Sequence, residues 1–308
     1  MRHIGMLVRL FFAHGLGLMA LAALFFAFTD VLIKFVSPLL TTIEIAFFRF
    51  LIGGIILWPL ISSTRTSLKG NHSWILLARG LSGFLCFFFF LKSIAMIPVA
   101  NAVVLAYTFP MFTALFSFLL FKEPVRAIEI ILIGVGLIGI YVLIDPRSEF
   151  NNMGCIFGLL AGFFSGLTVV LIRKLRETNG PLIISFYYSL VGATLSFPFF
   201  VKGFRMPNLQ QILLLILISL IFLGAQLLMT QGFKSCKALG GSVILMSEVV
   251  FVAIAGIVIF KDSISTRFLT GAFLVVGSGV GLNLIGRRSR VMHARSHETA
   301  DEKTPRSF

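Results

Sequence analysis

The chain has 308 residues, 58% hydrophobic and 12% charged, and its 26 Lys and Arg against 12 Asp and Glu give a net charge of +14. An ordinary soluble domain has about 25% charged residues, so this composition, with a mean hydropathy of +1.01, excludes a soluble globular protein. The basic residues are scattered over short connectors and one tail, with no basic face interleaved with aromatics, which excludes nucleic acid as a partner. Cys86, Cys155 and Cys236 lie far apart, with no CxxC pair and no metal-ligand spacing, so no metal and no cofactor is expected.

The apolar residues fall in blocks of roughly 20, the length that crosses about 30 Å of hydrocarbon. In chain order they predict ten spans, at 16–36, 42–61, 74–94, 98–120, 126–144, 153–172, 181–200, 211–232, 240–260 and 267–285. Runs such as "CFFFFL" and "ILLLILISLIFL" do not alternate, so the spans are helices and not barrel strands. Arg2 and Arg9 before "MALAA" faintly resemble a secretory signal, but the apolar run continues to Phe35 and fits a first span.

Ten spans place both termini on one side of the membrane. The connectors and termini on that side carry seventeen Lys and Arg, those opposite carry seven, and Arg49 and Arg79 lie within spans. The bias predicts a multi-pass protein of the bacterial cytoplasmic (inner) membrane with both termini cytoplasmic. Residues 1–15 form the N-terminal segment, and residues 286–308 read as a disordered basic tail near anionic headgroups.

Shifting the chain by 139 residues lays "FLLFKEP" (118–124) over "IVIFKDS" (257–263), with Thr108 over Ser247 and Phe109 over Glu248. The chain thus divides into two repeats, 16–144 and 153–285, each with five spans. An odd number forces the second copy into the membrane upside down. The expected fold is therefore all-α integral membrane, ten helices as two inverted five-helix repeats, the plan of many secondary transporters with a midplane site.

The motifs "FTDVLIKF" with Lys34, "IEIAFFRFLIGG" with Arg49, "AMIPVANAVVLAYTFPMFTALFSFLLFKEP", "GLLAGFFSGLTVVLIRK" and "GGSVILMSEVVFVAIAGIVIFKD" together resemble the drug/metabolite transporter superfamily, in its ten-span EamA branch. The resemblance covers nearly the whole chain up to residue 285. It implies movement of small organic metabolites such as amino acids, nucleobase-type compounds or vitamins. One departure stands out: the first half has Pro110, where the second has Val249, so the halves are expected to bend differently at this level.

A charge at the bilayer centre costs between about 2.5 and well over 10 kcal/mol, so ionisable residues within spans should face a cavity or a partner. Asp30 and Lys34 are four apart on one helix face and able to pair. Glu44 and Arg49 are roughly 140° apart around their helix, which makes them poor partners. Glu44 reaches the outer interface, whereas Arg49 lies about 12 Å in. Glu248 is similarly deep in the ninth span, with Ser247 beside it, and is the best charged counterpart for Arg49. Arg49 has two readings, a contact to substrate or a clamp on neighbouring backbone. Asn101, Tyr107 and Thr108, with Gln226 in the eighth span, complete a candidate substrate lining. Tyr187, Tyr188 and Gln231 are further polar candidates, and Arg79 is expected to snorkel to the cytoplasmic surface.

Gly154, Gly158, Gly162 and Gly166 recur at four-residue steps in the sixth span, a ridge that permits close helix approach. Packing within the chain is the preferred reading over a homodimer. No GxSxG, HExxH or Walker A motif occurs, and the five histidines lie in termini and a connector. The expected function is secondary transport of a small-molecule substrate across the lipid bilayer. An intramembrane enzyme, such as a lipid-modifying transferase, or a nonenzymatic scaffold are the alternatives.

Overall fold

The computed structural model describes residues 15–36, 38–64, 68–97, 99–122, 126–143, 152–202, 207–235 and 238–260, together with 266, 267, 269–271, 273, 274, 277, 278 and 281. Its helices are α1 (Leu16–Val36), α2 (Thr42–Ser63), α3 (Ser73–Met96), α4 (Val99–Ala106), α5 (Phe109–Phe121), α6 (Ala127–Leu143), α7 (Asn152–Leu175), α8 (Pro181–Lys202), α9 (Leu209–Gly232), α10 (Ala238–Leu245) and α11 (Ser247–Phe260). Among the described residues seven helical stretches are long and apolar enough to cross a membrane, one of them, Ala102–Phe121, running through α4 and α5, and Ala127–Gly139 is a shorter apolar one. Most of the tenth expected span, and the whole basic tail, lie outside the described residues.

Large apolar side chains such as Leu119, Ile130, Leu213 and Val258 are exposed, on faces that lipid covers. Polar side chains turn inward instead. Glu44 closes a capping box at the start of α2: its carboxylate accepts from Thr41 N at 2.7 Å and Thr41 Oγ1 at 2.8 Å. That local role leaves Arg49, on the same helix, without it.

The contacts run mainly between the two halves of the chain. Helix α3 packs on α7, α2 on α8, and α1 on α9, with α4 and α5 on α7 and with α10 and α11 on α1. Exchanging the halves converts the α3–α7 pair into α9–α1, maps α2–α8 onto itself, and converts α4/α5–α7 into α10/α11–α1. The packing thus carries the internal duplication that the sequence shows.

The fourth and ninth expected spans are each interrupted, and at equivalent places. Helices α4 and α10 have eight residues each, and the shift of 139 superposes Val99–Ala106 on Ala238–Leu245. The last turn is bonded alike, Tyr107 N to Val103 O at 2.9 Å and Met246 N to Ser242 O at 3.2 Å. Thr108 Oγ1 donates to Leu105 O at 2.7 Å, and its counterpart Ser247 Oγ donates to Ile244 O at 2.8 Å. Both spans thus break at the same register, with Pro110 in the first turn of α5 and Val249, at the matching place, donating to Met246 O at 3.1 Å.

The glycine ridge of α7 faces the first interruption. A Cβ on Gly158 would lie 2.7 Å from Leu105 Cβ, one on Gly162 would collide with Thr108 Oγ1, and one on Gly166 would lie 2.8 Å from Thr113 N. Gly154 meets Ile97 and Met96. The absence of side chains lets α7 approach a stretch of backbone that has left its helix. Gly162→Ala should therefore cost about 1–3 kcal/mol by overpacking, whereas Gly134→Ala, with nothing within 4 Å, should cost nothing. Thermal unfolding of both variants in detergent checks the difference.

Candidate functional site

Asp30, Arg49, Arg79 and Glu248 gather at two places between the halves, apart from Glu44 at its helix cap and Arg176 beside Gln231. The first centres on Arg49 of α2, which is 3% exposed. One guanidinium nitrogen, Nη2, donates to Tyr188 Oη of α8 at 2.9 Å. Aromatic faces take the rest: the carbon of the guanidinium lies 3.6 Å from the Phe87 ring centroid, 3.8 Å from Phe222 and 4.2 Å from Phe50. Cation–π contacts of this kind contribute about 0.5–2 kcal/mol each when desolvated. Arg49 Nε has no hydrogen-bond partner.

Arg79 of α3 approaches the same tyrosine from its ring, 4.1 Å from the centroid. It is fully buried, so the expected snorkelling is corrected: the aromatic face of Tyr188 holds the cation inside the bundle. Its three guanidinium nitrogens have no hydrogen-bond partner. Ser82, one turn on, bonds Thr168 Oγ1 of α7 at 2.8 Å and ties this part of α3 to the second half.

A small cavity opens beside Arg49, lined among others by Gly53, Ser185, Tyr188, Ser189, Phe222 and Gln226. It has room for about one water molecule. Close packing of α2 on α8 shapes it, since a Cβ on Gly53 would lie 2.9 Å from Ser189 Oγ and one on Gly192 would collide with the Phe50 ring. Ser219 Oγ donates to Leu215 O at 2.6 Å, but Ser185 Oγ is buried and unpartnered.

The second cluster joins Asp30 of α1 to Glu248 in the first turn of α11. Both carboxyls are buried, and Tyr107, at the first interruption, is their neighbour. The start of a helix favours an acidic group such as Glu248.

Arg49 and Glu248 are therefore not paired directly among the described residues. The aromatic cage holds Arg49 at α2, α3, α8 and α9, while the break before α11 turns Glu248 toward α1. Gln226 shares the cavity with Arg49. Thr108 and Ser247 direct their hydroxyls to the two helix breaks. Lys34 is half-buried one turn beyond Asp30, and the Asn101 side chain lies outside those described. Tyr187 bonds Lys69 O at 3.1 Å near the helix end, and Gln231 accepts from Arg176 at 2.8 Å. Sequence reasoning missed Phe87, Phe222 and Ser185. For Phe222 a cue existed, because it stands one turn before Gln226 on the same face of α9.

A model of the EamA-like transporter family matches residues 13–145 and again 152–284. The chain belongs to the EamA-like transporter family. It is 28% identical over 271 residues to the pseudopaline exporter CntI of Pseudomonas aeruginosa, covering 87% of this chain and 95% of that protein. It is 24% identical over 263 residues to the S-adenosylmethionine uptake transporter of Rickettsia bellii, covering 85% and 90%. A solved crystal structure shares the fold, with a TM-score of 0.67 at 19% identity over 90% of this chain and 97% of that one. The family and its named relatives make this EamA chain a multi-pass membrane transporter of small molecules, not an enzyme or a scaffold.

The cage gives a direct test. Tyr188→Phe keeps the ring over Arg79 but removes the acceptor of Arg49 Nη2, leaving a buried charged donor unmet at a cost of about 1–3 kcal/mol. A lowered unfolding temperature of the purified variant, with normal membrane insertion, is the expected outcome.

Proposed function

We propose that the protein is a secondary transporter that carries a small organic metabolite, amino-acid, nucleobase or vitamin-like, across the cytoplasmic (inner) membrane by alternating access. The observation that carries this reading is the burial of Asp30, Arg49, Arg79 and Glu248 between helices of opposite halves. Charges so placed in a lipid-solvated bundle are costly and mark substrate or ion pathways. Glu248 and Tyr107 stand where helices are interrupted, the usual construction of a transporter site.

In this reading the ten spans form two inverted five-helix repeats with both termini cytoplasmic. The exchange of helix contacts between the halves supports it, as does the duplicated interruption. The cavity beside Arg49 holds about one water, so this conformation is read as closed, and substrate enters when the halves part. Arg49, Glu248, Gln226 and Tyr107 line that path, with Asp30, Lys34, Asn101, Thr108 and Ser247 around it. The glycine ridge serves packing within the chain and lets α7 slide past the broken helix. With no ATP-binding loop in the sequence, gradients of substrate or coupling ion supply the driving force.

Proteoliposomes loaded with purified protein and screened against labelled amino acids, nucleobases and vitamins give the readout. One class should accumulate, and Glu248→Gln and Arg49→Ala should each slow its initial rate about tenfold or more, a loss of roughly 1.4 kcal/mol. Wild-type rates in both variants, with normal insertion, remove these residues from the site.

A further inference from the structure

We propose that the cavity beside Arg49 binds a carboxylate group of the transported molecule, with Arg49 and Ser185 as its donors and Arg79 as a second cation behind Tyr188. This assignment rests on the transporter reading and narrows its substrate class to organic acids, amino acids included.

Two permanently charged guanidiniums share one tyrosine inside an apolar bundle. Arg49 donates to its hydroxyl at 2.9 Å and Arg79 stands 4.1 Å from its ring centroid. Among the described residues neither cation has an acidic partner. Asp30 and Glu248 lie together beside Tyr107 in the second cluster, and Glu44 caps α2. Aromatic quadrupoles offset part of the desolvation of Arg49, but they accept no hydrogen bond in the guanidinium plane. Its Nε stays unmet, as do all three nitrogens of Arg79.

These uncompensated donors call for a negatively charged acceptor. Ser185 Oγ, fully buried and unpartnered, lines the same cavity as Arg49. An edge-on guanidinium matches a planar carboxylate in a bidentate pair. In this conformation the opening has room for about one water, so the carboxylate is admitted as the halves part, and Phe50, Phe222 and Leu223 offer apolar surface to the carbon skeleton attached to it. A carboxylate here turns a site with two unbalanced cations into one with a single net positive charge.

Matched acids and amides test this without requiring transport. Full-length protein in detergent, at constant ionic strength, is titrated with amino acids and mono- and dicarboxylates, each beside its primary amide, and with phenyl phosphate. Unfolding temperature is the readout. At least one acid should stabilise the protein, with its amide needing about tenfold or more higher concentration, as loss of a charged hydrogen bond implies. Arg49→Gln should erase the difference between acid and amide, while Arg49→Lys should keep part of it. Should Arg49→Gln aggregate, Ser185→Ala takes its place and should weaken the acid several-fold without moving the amide.

Equal stabilisation by acid and amide overturns the proposal. So does a preference that survives Arg49→Gln (or Ser185→Ala where that replaces it), stabilisation by phenyl phosphate alone, or by no acid at all. Acid binding without accumulation in proteoliposomes would instead sink the transport reading and leave the anion site standing.

Discussion

Backbone that leaves its helix inside hydrocarbon must find its hydrogen bonds there, because no water is at hand. Both interruptions of this chain meet that constraint in the same way: a hydroxyl, Thr108 or Ser247, bonds the carbonyl three residues back. The remaining carbonyls need close neighbours. The glycines of α7 supply one side of the first break by bringing backbone near Ala106 O and Leu105 O. Thr113 and Ser242, 3.3 Å apart between Oγ atoms, tie α5 to α10 and join the two broken helices to one another.

From this construction the polar interior arises. Tyr107 stands at the end of α4, and Glu248 begins the turn after α10. Asp30 on α1 meets Glu248 because α1 packs on α10 and α11. On the other side of α3, the α2–α8 contact seats Arg49 against Tyr188. Each cluster is therefore composed of residues from opposite halves. Any relative motion of the halves changes the surroundings of Asp30, Arg49, Arg79 and Glu248 at once.

The two clusters also differ in how they satisfy charge. Asp30 and Glu248 are two carboxyl groups buried together beside Tyr107. Arg49 and Arg79 have no carboxylate to share and rely on aromatic faces instead, with Phe87 and Phe222 pressed on one guanidinium and Tyr188 on the other. Rings soften the burial of a cation without completing its hydrogen bonds, and that incompleteness distinguishes a site awaiting an anion from a clamp already closed.

Lipid as the solvent, helices as the spanning element and the duplication of the chain are legible from the residues alone, since run length, lack of alternation and a fixed shift are properties of the string. The bounds of α1 and α2 were legible for the same reason, as was the burden on Arg49, whose depth comes from helical rise. Partners were not. Arg49 looked to Glu248 because charge suggests charge, yet packing surrounded it with rings. Arg79 looked long enough to snorkel, yet Tyr188 covers it. The missing proline at Val249 promised a difference between the halves, yet both spans break at the same register. Contacts between spans more than a hundred residues apart leave no periodic trace in one sequence, so only the folded bundle could assign them.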